Sequence, residues 1–438
     1  MSGGLTRELA AGLLVPRPGD WEQQDGPEGS VVLAHPPVPA GNFRPNLVIR
    51  RSAADGITLP LLSTAALAGI LVLPGTHIVS SELWRQPLEP EGGLVEGRLH
   101  RFVRAAEGQV VCVDRWLFSD AVDTIEATAS YALEQHTGMR SLFEDMVFQL
   151  RRAAAPPPAT GGTSASVAAG EPRLDEAASL ALRTPVEDLS PLRGAQPYRA
   201  RGRVLGPESL SLLLSMANRD ALGRFDAAGA KEAVAELRVR EILDGRRLTP
   251  AGQELTRPLR ALRAQFTVSS VRPEGSTGLD MWLGGGAALI AAGPAPSAAE
   301  TPPIPAGSCE VLAADAAAVP MFLAKWLPLV PAWSLGQHPL RLSGELFNRR
   351  LTDGPGVEPP EGLGEVELRM WAQPWMGWNV EHVHSGRRLG WVSAGDAGPF
   401  LAVADPHSGE VVLEPEPVSG VWDTLVGFIL AAGEGTFD

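Results

Sequence analysis

The stretch QVVCVDRWLFSDAVDTIEATASYAL, residues 109–133, decides the fold of the first part of the chain. It contains two extended runs, Gln109–Phe118 and Thr124–Leu133, which are joined by a short polar turn. In the second run, apolar residues stand at every second position from Ile125 to Leu133, so they share one face of a strand. Two strands joined by a short turn predict an antiparallel sheet with a buried face.

The sequence on either side predicts that this sheet continues and that helices cover it. Thr58 is placed to cap a helix that follows as LPLLSTAALAGILV, and Ser141 and Glu144 have the spacing of a capping box at the start of a closing helix. We therefore predict an α+β domain over residues 1–152. The further extended runs are 31–34, 47–49, 77–84 and 94–103.

A change of composition marks the end of this domain. The segment AAAPPPATGGTSASVAAG, residues 153–170, has no charged or aromatic residue and only Val167 as a larger aliphatic one. Such a segment buries too little apolar surface to offset its ordering entropy. It is predicted to be a flexible linker between residues 1–152 and a second domain over 171–438.

The second domain is also predicted to be α+β, with strands following helices. Asp226 is a candidate N-cap for a helix over 230–239, and Thr249-Pro250 is typical of a helix start. We found no internal repeat with a fixed period. The predicted strands are 265–271, 279–283, 287–292, 366–371, 378–384, 388–392 and 401–405, and a last helix is predicted over VWDTLVGFILAA.

Four segments of the first domain suggest a family. They are LVPRPGDW at Leu14–Trp21, FRPNLVIRR at Phe43–Arg51, the strand end Asp114-Arg115-Trp116, and the helix FEDMVFQLR. With these segments, residues 5–152 resemble the LpqN/LpqT-type branch of the PsbP-like fold. The resemblance implies an α/β/α sandwich around an antiparallel sheet. Many members of that family carry a lipoprotein signal, which this sequence does not display.

The second domain carries a different set of motifs. They are LRVREILDG at Leu237–Gly245, the following RLTPAG, WLGGGAALIAAG at Trp282–Gly293, and LRLSGELFNRRL at Leu340–Leu351. In their order and spacing, residues 185–438 resemble EspG-like proteins, the cytosolic chaperones of type VII (ESX) secretion. The resemblance implies an α+β fold, a protein client and no catalytic residues.

Bulk composition narrows the class of protein. There are 37 Lys and Arg against 51 Asp and Glu, a net charge of −14, which argues against a general nucleic-acid or anionic-membrane binder. We expect no signal peptide, no membrane insertion and a cytoplasmic location. Cys112 and Cys309 lie in separate apolar runs and are expected to be buried thiols. Only two positive residues, Lys231 and Lys325, are lysines, a bias typical of high-GC actinobacteria.

The usual catalytic and cofactor patterns are weak or missing from the sequence. Asp405, His407 and Ser408 lie together in DPHSG, but a polar turn explains them better than a hydrolase site. GGG at 284–286 reads as a hairpin turn rather than a phosphate loop. His382 and His384 would share one strand face and are weak candidates for metal ligation, without an evident third ligand. We therefore predict no enzyme, no cofactor and no metal.

The tryptophan-rich segment near residue 375 is the one candidate site. A turn so rich in tryptophan and methionine is difficult to bury completely, and such side chains are used by protein-binding surfaces. The alternative is that these rings close the core of the second domain. The predicted protein-binding residues are Met370, Trp371, Trp375, Met376 and Trp378.

Two functional hypotheses remain from the sequence. The first is a non-catalytic adaptor or chaperone-like protein, linked to type VII secretion, that masks an apolar surface of a helical client. The alternative is a DNA-binding regulator that uses a winged-helix-like segment at 226–263, where Arg residues are in excess. Against that alternative, its candidate recognition helix is rich in alanine and lacks side chains suited to reading base edges.

Overall fold

A computed structural model describes residues 5–26, 30–89, 92–106, 108–153, 172–296, 304–335 and 338–434. The chain forms two compact units, Met1–Ala195 with Val330–Trp333, and Gln196–Leu329 with Ser334–Asp438. Apart from Ala153, the predicted linker lies outside the described residues. Residues 172–195, which follow it in the sequence, belong to the first unit and not to the second.

The described part of the first unit contains ten strands and four α-helices, and the predicted extended runs of this domain lie on strands. The strands are β1 Leu5–Ala10, β2 Leu13–Pro18, β3 Glu22–Asp25, β4 Val31–Ala34, β5 Asn46–Ala53, β6 Thr76–Pro87, β7 Leu94–Ala106, β8 Gln109–Ser119, β9 Asp123–Ala132 and β10 Arg151–Arg152. The helices are α1 Leu59–Leu71, α2 His136–Phe148, α3 Glu176–Leu182 and α4 Ser190–Ala195.

A seven-stranded antiparallel sheet, in the order β3-β4-β5-β9-β8-β7-β6, is the frame of the first unit. Its two faces carry different helices. On β7, His100 lies 3.1 Å from the hydroxyl of Ser63 in α1, while the next residue, Arg101, bonds to Glu144 in α2. Because successive strand residues point to opposite faces, α1 and α2 lie on opposite sides of the sheet. The predicted α+β class is confirmed.

The closing helix of this domain begins earlier than predicted. A 3₁₀ turn, Leu133–Gln135, leads directly into α2, and the Gln135 side chain accepts a hydrogen bond from the Ala132 N–H at 2.9 Å. Ser141 therefore lies inside the helix, so the predicted capping box there is wrong. The hairpin β1–β2 was also missed, and Gly12 with a φ of 72° allows its turn.

The described part of the second unit contains twelve strands and eight α-helices. The strands are β11 Arg203–Leu205, β12 Leu243–Asp244, β13 Arg247–Leu248, β14 Leu262–Arg272, β15 Gly275–Gly284, β16 Ala287–Ala292, β17 Cys309–Asp315, β18 Leu340–Ser343, β19 Trp375–His382, β20 Arg387–Ala394, β21 Pro399–Ala404 and β22 Glu410–Pro415. The helices are α5 Pro207–Ser215, α6 Arg224–Gly229, α7 Lys231–Val239, α8 Pro250–Arg260, α9 Val319–Trp326, α10 Gly344–Asp353, α11 Glu365–Ala372 and α12 Val418–Glu434.

A ten-stranded antiparallel sheet in the second unit has a symmetrical strand order. From one edge the order is β11-β17-β16-β15-β14, and from the other edge it is β18-β22-β21-β20-β19. The two halves meet where β14 pairs with β19. In each half an edge strand leads into a helix, α5 or α10, and a four-stranded meander leads into another, α9 or α12. The unit thus contains a structural duplication that no sequence repeat revealed.

The two faces of this sheet are covered in different ways. Phe266 on β14 contacts Phe428 of α12, with ring centroids 5.5 Å apart. On the opposite face, Trp282 belongs to an apolar cluster with residues of α5, α7 and α8, while Trp375 belongs to a separate cluster with residues of α10 and α11. Each half of the sheet therefore has its own helical cover on that face.

Two local predictions for this unit are wrong and one is confirmed. The predicted strand 366–371 is the helix α11, and Asp226 lies inside α6 instead of capping the helix α7. Thr249 does cap α8, because its hydroxyl accepts a hydrogen bond from the Gly252 N–H at 3.1 Å. Among the described residues, every helix is too short or too polar to traverse a lipid bilayer.

Candidate functional site

The tryptophan-rich segment is buried rather than exposed. Met370 and Trp371 lie on the inner side of α11, and Trp375 and Trp378 lie on β19, all at most 3% exposed. Met376 is half-buried. The exposed protein-binding surface predicted at these five residues is therefore not formed, and the alternative, in which the rings close the core, is the one found.

A buried arginine explains how this segment is held. The Arg350 guanidinium carbon lies 4.7 Å from the ring centre of Trp375 and 5.5 Å from that of Trp371. One of its nitrogens donates to the carbonyl oxygens of Trp371 and Gln373 at 2.5 and 2.6 Å. Burial lowers the pKa of Arg350 to about 10, so the side chain remains charged near neutral pH. The sequence analysis missed this residue.

The indole N–H groups of the segment are satisfied within the protein, as a core position requires. Trp371 donates to the Val357 carbonyl at 2.8 Å and Trp375 to the Met370 carbonyl at 3.0 Å. Trp378 stacks on Trp391, with ring centroids 4.6 Å apart. Because these indole N–H groups already donate hydrogen bonds inside the fold, they are not available to a partner.

The two candidate metal ligands do not share a strand face. β19 ends at the buried His382, whose Nδ1 lies 2.8 Å from the Ser385 hydroxyl, and His384 stands exposed in the following turn. Burial, followed by the charges of His384 and Arg387, lowers the pKa of His382. Among the described residues, His, Cys, Asp and Glu side chains form no group of three that is able to hold a metal ion.

The residues of DPHSG form a turn. The Asp405 carboxylate accepts hydrogen bonds from the His407 N–H at 2.8 Å and the Ser408 hydroxyl at 2.9 Å, and these bonds lower its pKa. The carboxylate therefore binds Ser408 directly, with no imidazole between them. This arrangement differs from a catalytic triad, in which histidine stands between the acid and the nucleophile.

The segment proposed as a winged helix presents a mixed surface. Its helix α7 buries Ala233, Val234 and Leu237. The exposed side carries Glu232 beside Lys231 and Arg238, so it lacks the uniform positive charge that phosphate contacts need. The structure does not favour the DNA-binding alternative.

Helix α1 of the first unit is apolar on its outer side as well as on its inner side. Its inner side buries Ser63, Leu67 and Ile70. The opposite side is also apolar, and Val72 at the end of the helix is 79% exposed. From residue 56 to residue 76 the chain has no charged side chain. We name this outer side the α1 stripe, which consists of Leu61, Ala65, Ala68 and Val72.

The attachment of α1 to the sheet is buried and uncharged. Ser63 and His100 are both fully buried, with 3.1 Å between the hydroxyl and Nε2. Burial lowers the pKa of His100 to about 3, and the charges of Arg115 and Arg98 add to this effect. The imidazole is therefore neutral at physiological pH, and α1 is held by packing and a neutral hydrogen bond.

No family model matches the sequence, and the comparison with curated proteins gave no match. Among solved structures, LpqN of Mycobacterium tuberculosis, involved in cell envelope biogenesis, matches 35% of this chain and 86% of its own at 13% identity, with a TM-score of 0.26. A protein of unknown function from Pseudomonas aeruginosa, PA94, matches 36% of this chain and 99% of its own at 14% identity, with a TM-score of 0.24.

A third solved structure, from Bacteroides thetaiotaomicron, matches 66% of this chain and 89% of its own at 10% identity, with a TM-score of 0.24. These identities and scores are too low to carry a functional argument. The LpqN likeness concerns about a third of the chain, and the EspG-like resemblance of residues 185–438 stays a prediction.

Proposed function

We propose that this protein is a cytoplasmic, non-catalytic adaptor of the chaperone type, which covers an apolar surface of a helical client. The observation that carries the proposal is the α1 stripe. A helix that is apolar around its whole circumference is normally buried on all sides. Here the inner side is buried against the sheet while Ala68 and Val72 on the outer side are exposed.

The chemistry of the stripe favours a helix as the partner. Ala65 and Ala68 are small, so another helix backbone is able to approach closely, and Leu61 and Val72 flank them with larger apolar side chains. The absence of charge from residue 56 to residue 76 fits the core of a protein interface, where charged residues are depleted. The link to type VII secretion rests on the EspG-like resemblance, and the expected client is a small helical secreted protein.

A charge placed on the stripe tests this function. The full chain and its Ala68→Glu/Val72→Glu variant are each purified from the native host, and the proteins that accompany them are identified by mass spectrometry. We expect one small helical protein with the wild type and its loss from the variant. The matched control is Val239→Glu, since Val239 is equally exposed but stands on α7 between arginines. Recovery of the same partner with both variants would refute the proposal.

A further inference from the structure

A second part of the sequence packs on strand β7 of the first unit. Arg98 on β7 is 0% exposed, and its Nε donates to the Glu187 carboxylate oxygens at 3.0 and 3.3 Å. The same guanidinium donates to the Pro185 carbonyl at 2.7 Å and to Glu96 at 3.1 Å. Thr184 donates to Glu96 at 2.6 Å. Residues 184–187 are therefore bound around a single buried guanidinium.

Trp333 completes this site from a third part of the sequence. Its indole N–H donates to the Glu187 carbonyl at 2.7 Å, and the Arg98 guanidinium carbon lies 5.6 Å from its ring centre. Trp333 and Glu187 are both nearly fully buried. The Glu187 carboxylate thus lies against a buried guanidinium, a group that binds planar carboxylates well, while the indole closes the pocket by binding the backbone of Glu187.

The segment that enters the pocket is ordered by its own backbone. We name residues 172–188 the strap. The Asp175 N–H donates to the Val186 carbonyl at 3.0 Å, and the Asp188 N–H donates to the Arg173 carbonyl at 2.9 Å. The Asp175 side chain caps α3 by accepting from the Ala178 N–H at 2.9 Å. The strap is a folded piece that presents Glu187 to the pocket.

We infer that the pocket formed by Arg98 and Trp333 is an intramolecular binding site for the Glu187 carboxylate, which holds the strap on the first unit without help from the covalent connection through residues 154–171. Both ends of that connection, Ala153 and Pro172, belong to the first unit. The described residues on either side of the predicted linker are therefore parts of the same unit. The strap thus binds the first unit as a ligand would, although it is part of the same polypeptide.

The energetic reason lies in the burial of the pair. Arg98 and Glu187 have side chains that are 0% and 3% exposed, so removal of the carboxylate leaves a buried cation without its main partner. A second pair in the strap, Arg173 with Asp188, is a suitable comparison. Its arginine is 82% exposed, and such a pair contributes little.

Cutting the chain tests whether the site binds in its own right. A specific protease site is inserted between Gly161 and Gly162, the folded full chain is cleaved there, and the cleaved protein is diluted until its two fragments dissociate. Their dissociation constant is measured by fluorescence anisotropy. We expect wild-type fragments to reassociate with a submicromolar constant. We expect the dissociation constant to rise at least tenfold in Glu187→Gln and at least a hundredfold in Glu187→Ala. In the control Arg173→Ala it should rise less than threefold.

Hydrogen exchange on the uncut chain distinguishes release of the strap from general misfolding of the variant. In Glu187→Ala, the amides of Asp175, Val186 and Asp188 should exchange at least tenfold faster, while that of Val113 in the centre of the sheet should not change. Equal acceleration at Val113 would mean that the Arg98–Glu187 pair stabilises the whole unit and not the strap in particular, and this would overturn the inference. So would a Glu187→Ala fragment pair that binds as tightly as the wild type.

Discussion

Arg350 stacks on Trp375 at 4.7 Å inside the second unit, and no carboxylate among the described residues forms an ion pair with it. A buried cation normally has a counter-ion, since desolvation is costly. Here two indole faces and two backbone carbonyls replace it. The arginine thereby joins α10 to α11 and to the start of β19, at the place where the sequence suggested a surface.

Removing this cation should destabilise the second unit. We expect Arg350→Ala to lower the free energy of unfolding by about 2–4 kcal/mol, through loss of cation–π contacts, two charged hydrogen bonds and buried volume. Urea unfolding followed by tryptophan fluorescence measures the change. The neighbouring Arg349 is exposed, so Arg349→Ala should change stability by less than about 0.5 kcal/mol. Equal losses in the two variants would contradict this account.

The buried tryptophans should behave as core residues. Trp375 is 1% exposed and Trp378 is 3% exposed, so Trp375→Ser and Trp378→Ser should each cost about 3–5 kcal/mol. Circular dichroism during thermal unfolding measures this loss. An interface residue would instead leave the melting temperature nearly unchanged, and that result would restore the surface hypothesis.

Residues 366–371 were predicted as a strand but belong to the helix α11, and the local sequence explains this error. Val366, Leu368 and Met370 alternate with charged residues, which is the pattern of a strand. Tertiary contacts decide otherwise, because a helix brings Trp371 to the Val357 carbonyl and to Arg350 while Leu368 remains 46% exposed. Nothing in the sequence distinguishes the buried Arg350 from the exposed Arg349 beside it.

Other features were predictable because short-range chemistry determines them. The glycine run 284–286 makes a tight turn, and the strand after it, Ala287–Ala292, has the predicted bounds. The Thr249 cap is likewise a local hydrogen bond. The symmetrical strand order lies beyond such reasoning, since it is a repeat of topology and not of residues. The strap was missed because its partner on β7 is 89 residues away in the sequence.

Close packing of backbone against backbone should make Gly284 irreplaceable. A Cβ atom at Gly284 would overlap with the carbonyl oxygens of Pro258 and Ala261 at the end of α8, and neither backbone group is free to turn away. We expect Gly284→Ala to cost at least about 2 kcal/mol in chemical unfolding. Gly427 in α12 has open space around it, so Gly427→Ala should instead stabilise by about 0.5–1 kcal/mol. Similar effects at both positions would argue against the helix–sheet contact.

Mild acid should weaken the first unit through its buried histidines. Burial lowers the pKa of His100 to about 3 and that of His136 to about 4, both below the usual value of 6.5. Between its lowered pKa in the folded protein and the usual value of 6.5, each histidine is protonated in the unfolded chain but neutral in the folded chain. The free energy of unfolding therefore falls as the pH decreases. Each histidine contributes a slope that approaches about 1.4 kcal/mol per pH unit below pH 6.

Replacing one histidine separates this effect from the titration of carboxylates. In His100→Gln, the amide is able to bond to Ser63 but does not titrate, so the fall in unfolding free energy between pH 6 and pH 5 should be roughly half that of the wild type. Urea unfolding at a series of pH values gives the slope for both proteins. Gly427→Ala in α12 changes no titrating group, so it supplies the control and should leave the slope unchanged. An unaltered slope in His100→Gln would mean that the imidazole is protonated inside the fold, and α1 would then be held to the sheet by a charge.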